Sequence, residues 1–160
     1  MRKFEKISFA QFKKDIIDSR NIYDNYMLPK RSTKNSAGYD FFAIKSLVLK
    51  PGEVKKIPTG VKVYMNSDEF LMITVRSSMG FKYNVRMCNQ VGIIDYDYSD
   101  NPSNEGHIWI SLQNHGLTNY NVKEGEAIAQ GIFMKYYTID NEEKILNERT
   151  GGIGSTNKEG

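Results

Sequence analysis

The chain has 160 residues, enough to bury roughly 70% of its unfolded surface in one domain and to fold without disulfides. Lys and Arg number 22 against 19 Asp and Glu, a net charge of +3, which argues against a general nucleic-acid or membrane-surface binder and leaves room for a local anion site. One cysteine, Cys88, and two histidines, His107 and His115, with no CxxC pair, exclude an intrachain disulfide and a Cys/His zinc centre.

No apolar run approaches the ~18 residues of a membrane span. The opening Met1-Arg-Lys-Phe-Glu-Lys6 has no apolar stretch of the secretory kind, so a reducing, cytoplasmic setting is expected. Residues 3–7 alternate as an edge strand. Ser8-Phe-Ala-Gln11 reads as a capping box opening a helix of about ten residues through Ile16 and Ile17, the one helix expected. After Pro29 the texture changes to short β-rich runs at 39–44, 47–49, 54–57, 61–65, 70–75, 85–87, 91–94, 107–112 and 127–137, separated by Gly, Pro, Asn and Asp turns. Many short strands without βα alternation predict an all-β sandwich, jelly roll or barrel and exclude a doubly wound nucleotide-binding sheet.

Chemistry-bearing residues cluster where these strands end. Asp40 stands beside Phe41 and Phe42 and predicts a partly buried carboxylate paired to a cation, with Arg76 the natural partner. Arg76-Ser-Ser-Met-Gly80 closes an apolar strand; it is either a capped surface turn or a phosphate cradle of Ser77 and Ser78 hydroxyls and first-turn amides. In Gly92-Ile-Ile-Asp-Tyr-Asp-Tyr98 a continuing strand would point Asp95 and Asp97 the same way. Asp97 reads as a turn former, Asp95 as a candidate general base, and Tyr98 as a flat face for a sugar. Gln130 is the one polar residue of an apolar strand, either a sheet-capping amide or a ligand contact. The last dozen residues are glycine-rich, with Arg149, Ser155 and Thr156 able to wrap a phosphate chain. Their composition predicts a tail that stays mobile until a ligand or partner orders it.

In order and spacing, five segments resemble the motifs of the homotrimeric deoxyuridine triphosphatases, or dUTPases. They are Ala37-Gly-Tyr-Asp-Phe-Phe-Ala43, Arg76-Ser-Ser-Met-Gly80, Asn89-Gln-Val-Gly-Ile-Ile-Asp-Tyr-Asp-Tyr98, Gly125-Glu-Ala-Ile-Ala-Gln130 and Arg149-Thr-Gly-Gly-Ile-Gly-Ser-Thr156. The resemblance implies an all-β twisted jelly-roll barrel with one short N-terminal helix and a flexible Gly-rich C-terminal tail. It divides the chain into an N-terminal strand and helix (1–30), the jelly-roll domain (31–148) and an arm (149–160) closing over the site. It implies hydrolysis of dUTP to dUMP and pyrophosphate with Mg2+, in a homotrimer whose three sites each draw on all three subunits.

By position, the resemblance makes Asp95 the base that activates water against the α-phosphorus. Asn89, Gly92 and Ile93 would read uracil in a tight hairpin, and Tyr98 would lie under the deoxyribose. Arg76, Ser77, Ser78 and Gln130 would hold the phosphates, Arg149, Ser155 and Thr156 the γ-phosphate end. Asp40 would meet the metal only through water, the phosphates being its main ligands.

Three departures from the family pattern stand out. Ile153 replaces the aromatic residue that stacks on uracil, the arm is one residue shorter between Arg149 and Ile153, and an insertion, residues 99–104, follows Tyr98. The insertion is expected to form a lip or a partner surface, so a protein partner engaging the insertion or the tail belongs with this reading; nucleic-acid and membrane partners do not. Two rivals share the scaffold: a dCTP deaminase, which would carry a catalytic glutamate where Gly92-Ile-Ile-Asp95 stands, and a regulatory protein-binding member without catalysis.

Overall fold

The computed structural model describes residues 1–152, and the fold is mostly β with few helices. The chain runs β1 (Lys3–Lys6), α1 (Phe9–Asp15), α2 (Arg20–Asn25), β2 (Tyr39–Phe42), β3 (Leu47–Leu49), β4 (Val54–Pro58) and β5 (Val61–Tyr64). It continues through β6 (Glu69–Thr74), α3 (Ser77–Tyr83), β7 (Val85–Met87), β8 (Gly92–Asp95), a 3-10 turn (Tyr96–Tyr98), β9 (Trp109–Asn114), β10 (Tyr120–Val122) and β11 (Ala127–Lys135). Among the described residues no helix is long and apolar enough to cross a membrane.

The strands lie in a four-stranded sheet, β2-β11-β6-β8, a three-stranded sheet, β4-β9-β7, and two pairs, β1-β5 and β3-β10; no closed barrel forms among the described residues. Alternation explains which faces meet. In β6, Leu71 and Ile73 turn inward while Phe70, Met72 and Thr74 are half-buried. In β9, Ile110 and Leu112 do the same. These four, with Phe41, Met87 and Ile128, belong to one core cluster shared by the two larger sheets, each such side chain contributing about 1.5–3 kcal/mol by leaving water.

Four corrections to the sequence reading concern local structure. The expected single helix is joined by α2, whose six residues are too short to show a period but are capped by Ser19, and by α3. The capping box at Ser8 is half made: Ser8 Oγ accepts from the Gln11 amide at 3.1 Å, but the Ser8 amide donates to Glu105 Oε2 at 2.8 Å, and Gln11 turns to Asp15 instead. The strand expected from 107 starts at Trp109, since the His107 and Ile108 amides are taken by the carbonyls of Asn104 and Val61. Strand β10, paired to β3, was too short to stand out.

The first thirty residues pack on these sheets. β1 pairs with β5, and Phe12, fully buried, sits with Ile7 and Ile44 under Tyr23 and Tyr26.

Candidate active site

At one end of the four-stranded sheet, register brings three of the singled-out segments together. Gln130 of β11 lies opposite both Asp40 of β2 and Thr74 of β6. Arg76, just past β6, places Nε 3.2 Å from Asp40 Oδ1, so the expected carboxylate–guanidinium partnership is present, with Asp40 buried. Gln130 Nε2 donates to the Val75 carbonyl at 3.2 Å. Its Oε1 lies over Gly38, where a Cβ would come within 2.3 Å of it; glycine at 38 is what allows the amide to sit there. Ser77 and Ser78 are exposed in the first turn of α3, whose N-cap residue, Arg76, makes no side-chain cap. A cavity of about 500 Å³ opens here, lined in part by Lys30, Ser32, Asp40, Arg76, Ser78 and Glu126. Lys30 and Ser32 escaped the sequence reading, although the Lys30-Arg-Ser-Thr33 run just ahead of the first motif was a signal for an anion-facing segment.

Asp95 is elsewhere. Strand β8 is an edge strand of the same sheet, antiparallel to β6 with Asp95 opposite Phe70 and Gly92 opposite Ile73. Arg76 follows Phe70 by six residues, about 20 Å at a strand rise of about 3.3 Å per residue. One copy of the chain therefore holds its candidate base and its candidate phosphate contacts at opposite ends of one sheet.

The Asn89 region is also rearranged. Residues 88–91 do not close a hairpin, because β7 pairs with β9 and β8 with β6; they turn a corner between two sheets. Asn89 is exposed at this corner, where the Val91 amide donates to the Asn89 carbonyl at 2.6 Å. Gly92 is buried, a Cβ there meeting Met87 Cε at 3.3 Å, while Ile93 and Asp95 are exposed at alternate positions of β8. The strand does not continue to Asp97: a 3-10 turn intervenes, and the two carboxylates converge through that turn on one guanidinium. Arg149 Nη2 donates to Asp95 Oδ2 at 2.6 Å and Nε to Asp97 Oδ1 at 2.7 Å.

Residues 149–152, expected to be mobile, are thus docked on their own chain, and Arg149 sits with Asp95 rather than at the Ser77 end. Two exposed carboxylates at the end of an edge strand offer a concentrated negative site that a guanidinium fork satisfies better than water does. Gly152 follows over the edge of the Tyr98 ring. Ile153, Ser155 and Thr156 lie outside the described residues.

Tyr98 is buried, its phenol donating to the His107 carbonyl at 3.0 Å and accepting from Asn104 Nδ2 at 2.9 Å. His107 is fully buried. The Gly60 amide donates to its Nε2 at 2.9 Å, so the ring proton sits on Nδ1, which donates to Asp15 Oδ2 at 2.6 Å. Burial pushes this imidazole below its ordinary range, with Asp15 opposing. Nothing along the chain marks His107, Asn101 or Asn104 for a role; their partners are Asp15 of α1, the Gly60 amide and Tyr98, and only folding reveals them.

A mostly antiparallel β-protein with a guanidinium, hydroxyls and an amide around one cavity, and a carboxylate pair on an edge strand, has the parts of an enzyme acting on a polyanionic substrate. The dUTPase family matches residues 24–157, and the chain belongs to that family. The chain is 46% identical over 130 residues to the deoxyuridine 5'-triphosphate nucleotidohydrolase of Lactococcus lactis, spanning 81% of this chain and 87% of that one. It is 34% identical over 156 residues to the Tolumonas auensis protein of the same name, spanning 92% and 98%. Among solved structures, the Streptococcus mutans dUTPase superposes with a TM-score of 0.69 at 35% identity, covering 86% of this chain and 98% of that one. A mutant dUTPase of the S. aureus phage phi11, described with a structural Mg(II) ion, shares the fold at 20% identity and TM-score 0.66, covering 92% and 97%.

Proposed function

We propose that this chain hydrolyses dUTP to dUMP and pyrophosphate in sites assembled from several copies of itself, as a homotrimer. Family membership supports the reaction. The register of β8 on β6 carries the assembly: in one chain Asp95 lies opposite Phe70, about 13 Å along β6 from Thr74, which faces Gln130, and about 20 Å from Arg76, and a second copy can bring its Asp95 to the first copy's phosphate end. The β8 edge, with Ile93 and Asp95 exposed, is the surface such a neighbour would meet. The two larger sheets over their common core are read as the faces of a jelly roll, with residues 149–160 as the arm that closes on the nucleotide.

In this reading Asp95 deprotonates the water that attacks the α-phosphorus, which requires an exposed carboxylate at the end of a rigid strand. Ser77, Ser78, Arg76 and Gln130 bind the phosphate chain, Arg76 being oriented by buried Asp40. Asn89 and the main chain at Gly92 and Ile93 read uracil, Tyr98 lies under the deoxyribose, and Ile153 covers the base. Arg149, Ser155 and Thr156 reach the terminal phosphates once the arm closes.

The donor set suits Mg2+ held mainly by the substrate. Among the described residues no group of three His, Cys, Asp or Glu forms a metal site, and Asp40, buried against Arg76, fits an outer contact through water. Bound Mg2+ supplies charge neutralisation along the triphosphate. Pyrophosphate release should be seen from dUTP and not from dTTP, dCTP or UTP, and Asp95→Asn should lower it about 10²–10⁴-fold with dUTP still bound. Ammonia release from dCTP, or near-full turnover by Asp95→Asn, would refute the proposal.

A further inference from the structure

In residues 99–106, which include the insertion after Tyr98, Asp100, Pro102 and Ser103 are exposed while Asn101 and Gly106 turn inward. Asn101 is buried. Its Nδ2 donates to the Tyr98 carbonyl and to Asn104 Oδ1, both at 2.8 Å, and its Oδ1 accepts from the Ser103 amide and hydroxyl and from the Asn104 amide. Asp100 binds Lys62 at 2.6 Å and the Tyr64 hydroxyl, which fastens the loop to β5. Glu105 takes the Ser8 amide and hydroxyl, which fastens it to the start of α1. Gly106 has φ +80°, and a Cβ there would meet the Tyr98 carbonyl at 2.8 Å, so the loop closes tightly against Tyr98. At the centre Asn104 holds three groups at once: its Nδ2 donates to Tyr98 Oη at 2.9 Å, and its Oδ1 accepts from Asn101 and from the Gly106 amide.

We infer that Asn104 is a positioning residue for sugar selection, holding the Tyr98 ring so that a ribose 2′-hydroxyl finds no room. The inference rests on reading Tyr98 as the surface under the deoxyribose. Excluding one oxygen atom sterically requires a wall that does not yield, and a tyrosine ring can tilt about its side-chain torsions unless both ends are fixed. Here the main chain of Tyr98 is tied by Asn101, and the phenol is tied by Asn104 on one side and by the His107 carbonyl on the other. Removing the Asn104 amide leaves the phenol one bond, to His107, and frees the ring on the side from which the loop braces it.

The test is the ratio of kcat/KM for dUTP to that for UTP. Asn104→Ala should lower the ratio about three- to tenfold, the scale of one lost hydrogen bond, chiefly through improved use of UTP. A merely structural role would lower both rates together and leave the ratio unchanged, and that result overturns the inference. Tyr98→Phe removes both phenol bonds, to Asn104 and to the His107 carbonyl, while the loop keeps its own network; it should lower the ratio at least as far, and an unchanged ratio there overturns the inference even if Asn104→Ala does not fold. Tyr98→Ala separates the two ideas. If it abolishes discrimination while Asn104→Ala and Tyr98→Phe retain it, Asn104 has no positioning role; if it leaves discrimination intact, the sugar reading of Tyr98 itself is wrong.

Discussion

If a working site takes Asp95 from one copy of the chain and the Ser77–Gln130 end from another, two inactive variants should restore each other. The perturbation is to make Asp95→Asn and Ser77→Ala separately, unfold them together in equal amounts, and refold. The magnitude follows from the register: Asp95 is opposite Phe70 on β6, Thr74 ends that strand about 13 Å further on at about 3.3 Å per residue, and Ser77 lies beyond it at the start of α3, too far to serve one α-phosphorus. A site is then intact when the copy giving Asp95 carries Ser77→Ala and the copy giving Ser77 carries Asp95→Asn. With random assembly that happens in about a quarter of sites in a closed symmetric ring. Pyrophosphate release from dUTP should therefore rise from the trace level of either parent to about a quarter of the unsubstituted protein. Refolding each variant alone controls for recovery, and mixing without unfolding should give nothing until subunits exchange. A refolded mixture no more active than its parents, with oligomers of mixed composition demonstrated by mass, would show that each chain completes its own site and that the geometric argument is wrong.

Other outcomes follow from single contacts. Gly38→Ala should leave the fold intact, because the clash is with the far end of the Gln130 side chain, yet lower kcat/KM for dUTP about tenfold or more as Gln130 loses its place, the scale of one hydrogen bond to a charged group; unchanged kinetics would remove Gln130 from the phosphate site. Arg149→Ala should shift unfolding stability by less than about 1 kcal/mol, since Asp95 and Asp97 are half exposed, while raising KM for dUTP; a large loss of stability with unchanged KM would make residue 149 a structural strap. The folded His107 imidazole is held below its ordinary range, so on acidification the unfolded chain takes its proton first. Its contribution is complete above the ordinary value of about 6.5 and declines below it by up to about 1.4 kcal/mol per pH unit. Denaturation midpoints between pH 7.5 and 5 should show this slope, and His107→Gln should flatten it; equal slopes would refute the assignment.

Much of this protein is readable along the chain. Strand alternation at Leu71 and Ile73, the Ser8 cap, the turns and the pairing of Asp40 with Arg76 all depend on neighbours a few residues away or on a charge that must find its opposite, and such signals survive in one dimension. The five motifs likewise single out the candidate site residues. Their placement did not follow from them. That Asp95 stands a sheet's length from Arg76 depends on which strand β8 joins and in what register. That Arg149 closes on Asp95 and Asp97, that Glu105 completes the cap of α1, and that Asn104 braces Tyr98 against the His107 carbonyl depend on how loops return to one another. Hydrogen bonds of that kind join groups whose spacing in sequence carries no period, so only the packed chain, with its buried polar groups each requiring a partner, decides them.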